Sequence, residues 1–360
     1  MSKGKALIVG ATGITGHNVA RLLLDEGWEV SGVSRRAPEG LDGVEAISVD
    51  VTDRDATAAS LRDRDFTHLF YCTWSRQETE AENCEVNGAM LANVLDSLLP
   101  SGTLRHAALV TGLKHYLGPF EAYAQGPLET PFRESQGRVD YPNFYYTQED
   151  VLFEAAERHD FSWSVHRSHT VIGWALGNVM NMGMTLAAYG TICRELGRPF
   201  VFPGSPQQHD GITDLTDASF LAEQMLWSAT TPAGANQALN SVNGDVFRWR
   251  VLWATLGEAL GCEVGEYPGH ARSLEEEMND GFDYAGLWRE IVAKHNLRPT
   301  ELDRIASWWH SDGDLQREAE TFADMTKSRE LGFPGFRRTD ASFLALLERL
   351  RVERIIPTIS

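Results

Sequence analysis

Lys5-Ala6-Leu7-Ile8-Val9-Gly10-Ala11-Thr12-Gly13-Ile14-Thr15-Gly16 decides the fold of this chain. The first five residues read as a short strand, and the glycines follow at once. An amphipathic helix then runs through Val19, Leu22, Leu23 and Leu24 to a stop at Gly27. Strand, Gly-x-x-Gly-x-x-Gly turn and helix in this order form the dinucleotide-binding fingerprint in its required context. The glycines permit a tight turn and a close backbone approach, so that a pyrophosphate can rest on the helix N-terminus. A plain strand-to-helix turn is the bland alternative, and the context on both sides favours the cofactor. The candidate contacts here are Gly10, Thr12, Gly13, Ile14 and Gly16.

The next strand, Glu29 to Val33, ends in Ser34-Arg35-Arg36. An NAD site usually places an acid here to take both ribose hydroxyls. A hydroxyl and two guanidiniums suit a 2′-phosphate instead, which a carboxylate would repel. The expected cofactor is therefore NADPH/NADP⁺, although Arg35 and Arg36 as a solvated loop pair is the competing view. Further strands are expected over 44–49, 68–73, 104–110 and 162–171, with helices over 56–62 and 90–99 between them. Asp50-Val51 would read an adenine edge, and Thr73, Thr111 and Val171 complete the candidate cofactor contacts. The fold class is α/β: a Rossmann-type, doubly wound parallel sheet followed by a mostly helical C-terminal lobe. The expected division is 1–175 for the core, with 205–245 returning to it, and 176–204 plus 246–350 for a substrate lobe. Lobe helices are expected over 179–194, 247–260, 284–295, 301–309, 318–331 and 341–351, above the carboxyl edge of the sheet.

The 360 residues carry 32 Lys+Arg against 51 Asp+Glu, a formal charge of −19. Such a surface repels nucleic acid and anionic membranes, so neither is an expected partner. Cys72, Cys84, Cys193 and Cys262 lack the spacing of a zinc site or a disulfide frame and read as free thiols in a reducing compartment. With no apolar run of membrane length and no signal-peptide pattern, the expectation is a cytoplasmic protein. The oligomeric state is open, a homodimer being one alternative.

Lys114 is the only lysine between Lys5 and Lys294, and it follows the apolar run ending at Val110. An ammonium in such a place can tune a neighbouring acid. Short-chain reductases normally place that acid as Tyr-x-x-x-Lys, and the spacing is absent after every tyrosine. Instead, Asn143-Phe144-Tyr145-Tyr146-Thr147-Gln148-Glu149-Asp150 opens an amphipathic helix, with its acids suiting the helix dipole. Tyr145 and Tyr146, phenols of unperturbed pKa about 10, are both candidate donors to a carbonyl oxygen. His115 and Tyr116 read as structural neighbours, and His166 and His169 as core or loop residues, with no metal expected.

Thr111-Gly112-Leu113-Lys114-His115-Tyr116, Gly118-Pro119-Phe120 and the 143–150 segment resemble the progesterone 5β-reductase/iridoid synthase-like enzymes, an atypical branch of the short-chain dehydrogenase/reductases. Thr12-Gly13-Ile14, Ser34-Arg35-Arg36, Phe70-Tyr71-Cys72-Thr73-Trp74, Trp163 to Arg167, Asn243-Gly244-Asp245 and Trp308-Trp309 extend the resemblance almost end to end. It implies Lys114 and Tyr145 as the catalytic pair and NADPH-dependent 1,4-reduction of a carbon–carbon double bond conjugated to a carbonyl. Two departures stand out. Ser168-His169 occupies a stretch where that family shows proline, and His310 follows Trp308-Trp309 where its plant members place phenylalanine. The candidate pocket residues are Trp74, Phe120, Met182 and His310, facing a small enone. Two rivals remain: an NADP-dependent carbonyl reductase or epimerase, which lacks its Tyr-x-x-x-Lys here, and a non-catalytic NADP-sensing regulator.

Overall fold

The computed structural model describes residues 3–36, 39–118, 128–177 and 180–359. In chain order the first elements are β1 (Lys5–Val9), α1 (Ile14–Asp25), β2 (Glu29–Ser34), β3 (Glu45–Ser48), α2 (Arg54–Leu61) and β4 (His68–Tyr71). Then come α3 (Glu80–Leu98), β5 (His106–Gly112), α4 (Lys114–Leu117), α5 (Phe144–His159), β6 (Ser162–Ser168), β7 (Val171–Ile172), α6 (Met182–Glu195) and α7 (Pro206–Asp210). The rest are β8 (Thr216–Asp217), α8 (Ala218–Thr230), β9 (Gln237–Ser241), α9 (Trp249–Leu260), α10 (Leu274–Met278), α11 (Tyr284–Lys294), α12 (Trp308–Leu315), α13 (Thr326–Glu330) and α14 (Thr339–Val352).

Two compact units divide these elements. The first comprises Met1–His169, Ala218–Val242 and Ala323–Gly335; the second comprises Thr170–Asp217, Asn243–Phe322 and Phe336–Ser360. Set beside the expected division, the first unit ends at His169, residues 205–217 and 243–245 fall in the second, and 323–335 return to the first. That last return has a packing cause, since Ala323, Met325 and Phe333 join Leu113, Tyr116, Phe132 and Phe220 in one apolar cluster.

The first unit holds a seven-stranded sheet in the order β3-β2-β1-β4-β5-β6-β9, with every described pairing parallel. Parallel strands need crossovers, and helices on the sheet faces bury both sides, which is why β1 and β4 are apolar beyond their first residues, Lys5 and His68. Ile8, Phe70 and Ala108 are fully buried. The strand order reverses beside β1, the place where open α/β sheets bind ligands at the carboxyl ends of their strands. The strand expected over 162–171 is two pieces. β6 stops at Ser168, and Val171 opens β7, which pairs with β8 in a separate two-stranded sheet of the second unit.

The second unit is mainly helical around its own core. Tyr189, Phe200, Phe202, Trp249, Trp253 and Trp288 are buried there, and Phe200 stacks on Trp253 with centroids 4.0 Å apart. Met182 belongs to this core at 1% exposure, a packing position rather than an open wall. The helix expected over 301–309 instead starts at Trp308, because 302–304 form only one 3₁₀ turn. The helix expected over 318–331 is likewise the single short α13. Among the described residues no helix is long and apolar enough to cross a membrane.

Candidate active site

The turn after β1 is built by backbone. Gly10 and Ala11 both donate to Val33 O, and Gly13 N–H donates to Gly10 O at 2.9 Å. Gly10 has φ +91°, and a Cβ on Gly16 would lie 2.2 Å from Gly10 O. Only glycine fits there. Helix α1 then begins with Gly13 as N-cap, no side-chain cap and no acid in its first turn. Its first-turn N–H groups therefore suit an outside acceptor such as a pyrophosphate. Gly16→Ala should cost the chain this turn: a melting temperature lower by several degrees and loss of dinucleotide binding, checked by thermal unfolding and titration calorimetry.

At the end of β2, Ser34 Oγ donates to the carbonyl oxygen of Arg36, which folds the loop back on itself. Arg35 and Arg36 are exposed, and neither guanidinium makes an ion pair among the described residues. Asp50 accepts from the Thr52 N–H and hydroxyl at 3.0 and 2.8 Å. Those bonds, with Arg35 nearby, hold its carboxyl below the usual range. Val51 is buried, and its carbonyl accepts from Asn93 of α3 at 3.0 Å. Thr73 is half-buried just past β4. Thr111 is buried on β5 with no hydrogen-bond partner for its hydroxyl among the described residues.

Lys114 and Tyr145 are drawn together by two bridging side chains. The first is Asn143, the N-cap of α5. Its amide donates to Lys114 O at 2.9 Å while its Oδ1 accepts from Tyr145 N–H at 3.1 Å. The second is Glu80, the first residue of α3, which the sequence reading did not single out. Its Oε2 lies 2.6 Å from Lys114 Nζ, and its Oε1 accepts from Phe144 N–H at 2.8 Å. Both side chains of the ion pair are 7% exposed. Lys114 Nζ also sits 4.7 Å from the Phe144 ring centroid, and that ring lies 4.3 Å from the Tyr145 ring. A Cβ placed on Gly112 would be 3.2 Å from Tyr145 Oη, so the phenol oxygen stands at the carboxyl end of β5. Trp74 stacks on Phe144 at 5.3 Å and completes an aromatic floor.

A sequence signal for Glu80 exists. Thr79 and Glu82 form a capping box, the Thr-x-x-Glu signature that marks a helix start ten residues before the expected one. Asn83 and Asn87 on the same face then hold the 75–77 loop through Gln77 N–H at 2.8 Å and Ser75 N–H at 2.7 Å.

The two neighbouring phenols are committed elsewhere. Tyr146 Oη donates to His115 O and accepts from Val139 N–H at 3.0 Å. Tyr116 Oη donates to Asn240 at 2.7 Å and accepts from Arg167 at 3.1 Å, and burial pushes its phenol up to about 12. Tyr145 is only half-buried, unlike Phe144 and Tyr146 on either side.

Glu149 is not a solvated helix-start acid. Its side chain is 2% exposed, with Arg138 bound at 3.0 Å and Arg167 and His115 each 3.6 Å away. Burial alone would raise its carboxyl, but His115, Arg167 and Arg138 together hold it below the usual range. His166 is buried between Gln224 and Ser164 at 2.9 and 3.0 Å, and desolvation lowers it to about 4. His169 is buried at the end of the first unit. Of the remaining candidates, Val171 and His310 lie in the second unit, and Phe120 lies outside the described residues.

The NAD dependent epimerase/dehydratase family model matches residues 6–174. The (S)-8-oxocitronellyl enol synthase of Nepeta racemosa is 40% identical, over 98% of this chain and 93% of its own. The 3-oxo-Delta(4,5)-steroid 5-beta-reductase of Arabidopsis thaliana is 39% identical over the same shares. Among solved structures, the UDP-glucose 4-epimerase of Thermus thermophilus in complex with NAD has a TM-score of 0.68 at 14% identity, covering 96% of this chain and 99% of that one. This last likeness concerns the fold alone. With two-fifths identity across nearly the whole length of the plant enzymes, this chain belongs to the progesterone 5β-reductase/iridoid synthase-like family of short-chain dehydrogenase/reductases.

Proposed function

We propose that this protein is an NADPH-dependent enone reductase that carries out 1,4-reduction of the carbon–carbon double bond of α,β-unsaturated carbonyl compounds. One observation carries the reading: the half-buried Tyr145 places its phenol oxygen at the carboxyl end of β5, and Asn143 and Glu80 tie the backbone of its helix start to Lys114. The relatives named for steroid 5-beta-reduction and for enol synthesis support it. The glycine turn and the uncapped N-terminus of α1 fit a pyrophosphate, and the Thr111 hydroxyl, buried one residue before Gly112, suits a polar contact beside the reacting ring. The exposed Arg35 and Arg36, with Ser34, suit a 2′-phosphate, which favours NADPH over NADH.

When bound, the reduced nicotinamide supplies the hydride that saturates the β-carbon. The residues of this chain act at the other end of the conjugated system. Tyr145 Oη donates a hydrogen bond to the carbonyl oxygen, where negative charge grows as the double-bond electrons move toward it. Lys114 and the first turn of α5 set the place of that phenol. Trp74 and Phe144 form an apolar floor that keeps water from the enolate face. The enolate then takes a proton from solvent at the α-carbon, leaving a saturated ketone.

Consumption of NADPH with cyclohexenone or methyl vinyl ketone, with the product identified, tests the reading. Saturated ketone supports it; allylic alcohol or no turnover overturns it. Arg35→Glu/Arg36→Glu should raise the KM for NADPH about tenfold or more while leaving that for NADH little changed. A cytoplasmic setting goes with this reading, supported by the acidic surface and the four cysteines, all free thiols.

A further inference from the structure

We propose that Glu80 is a charge-compensating positioning residue, which keeps Tyr145 protonated as a donor by cancelling two positive groups that meet at the start of its helix. The proposal rests on the enone-reductase reading, which gives Tyr145 its role. The two groups are the Lys114 ammonium and the N-terminal turn of α5, whose aligned N–H groups carry partial positive charge. One carboxylate meets both. Glu80 Oε2 takes Lys114 Nζ at 2.6 Å, and Oε1 takes the first N–H of α5 at 2.8 Å. Asn83 adds a third donor to Oε2 at 3.3 Å. At 7% exposure for each side chain, solvent and salt screen this arrangement weakly.

An ammonium alone lowers the pKa of a neighbouring acid. At this site that would be counterproductive, since a phenolate would repel the enolate it must stabilise. A compensated ammonium still holds geometry through hydrogen bonds but adds little net field. Among the described residues, the other charged and titratable groups around this end of α5 pair off or stay neutral. Arg138, from the segment before α5, and Arg167 of β6 face Glu149 and Asp150 of α5, two guanidiniums against two carboxylates. From α4, His115 is lowered by burial, and Tyr116 is pushed up. From α3, burial raises the Cys84 thiol, which is bonded to Thr147. His106 of β5 and His166 of β6 are held neutral at physiological pH by desolvation. Tyr146 on α5 itself is also raised by burial. Glu80 is thus the charge whose removal changes the potential at Tyr145.

The test is an ultraviolet titration of tyrosinate on the intact protein, read as each form minus its own Tyr145→Phe counterpart. The alkaline limb of kcat/KM for enone reduction serves as a second readout. Glu80→Gln should lower the Tyr145 pKa by about one unit or more, and Lys114→Met should raise it by a similar amount. The double variant Lys114→Met/Glu80→Gln should return it near the parent value. An unpaired buried charge can prevent folding, so if one single variant fails to fold, the other against the double variant carries the comparison. A phenol that titrates alike in the parent and Glu80→Gln, or a double variant that fails to return, overturns the proposal. Enone turnover without these shifts removes only the role of Glu80. The shifts without any enone turnover remove the reductase reading and leave the charge compensation standing.

Discussion

Replacing Tyr145 by phenylalanine should lower kcat/KM for enone reduction by about 10²- to 10⁴-fold while leaving the fold and dinucleotide affinity intact. The variant removes one hydroxyl whose job is realised as charge builds on the substrate oxygen, so kcat should fall more than KM rises. Tyr146→Phe separates this from a general aromatic effect. Its hydroxyl is spent on His115 O and Val139 N–H, so its loss should act on stability, by about 1–3 kcal/mol, rather than on the chemical step. Lys114→Met should also lose most of the rate, by a different route. It strips Glu80 of its ion-pair partner and loosens the first turn of α5. Steady-state kinetics with a common enone, beside thermal unfolding of each variant, check the set.

Glu149→Ala should destabilise the fold strongly, by about 3–5 kcal/mol, because it removes the carboxylate facing the buried Arg167 guanidinium. Arg138 is more than one-third exposed and adds little, since water can replace its partner. The same group sets a pH dependence. The folded carboxyl of Glu149 is held below its ordinary range, so its contribution is present above the unfolded pKa. That contribution is lost as pH falls through the folded value. Wild-type denaturation midpoints should therefore decline from about pH 5 downward, and the decline should be shallower in Glu149→Ala. A midpoint in the variant equal to that of the wild type at pH 7 would show that the buried cluster stabilises nothing.

The parts of this molecule that were legible in the sequence are those whose signal is local. The β1 turn and α1 were readable because three glycines and an apolar helix face lie within twenty-odd residues. The parallel sheet followed from repeated strand and helix patterns. Lys114 and the Tyr145–Tyr146 helix start stand out as candidates through an isolated lysine and a local N-terminal pattern, and the resemblance selects Tyr145. What was missed depends on contacts distant along the chain. Glu80 looks like a surface acid until α3 brings it against Lys114, 34 residues later. Glu149 fits a helix-dipole role until Arg167 arrives from β6. The break after Ser168 was hidden because the residues remain strand-like through Ile172 while the chain changes sheet. The helix expected over 301–309 is absent over its first turns for a related reason: its apolar residues bury as a 3₁₀ turn and coil, with Ile305 fully enclosed.

The most direct test of the central claim is the fate of the label from NADPH carrying deuterium at the transferable C4 position, with cyclohexenone as substrate. If Tyr145 and its Lys114–Glu80 support hold the carbonyl oxygen while the far carbon is reduced, the product is cyclohexanone with deuterium on the β-carbon. Deuterium on the carbinol carbon of cyclohexenol would contradict the account, as would consumption of label that persists at the wild-type rate in Tyr145→Phe.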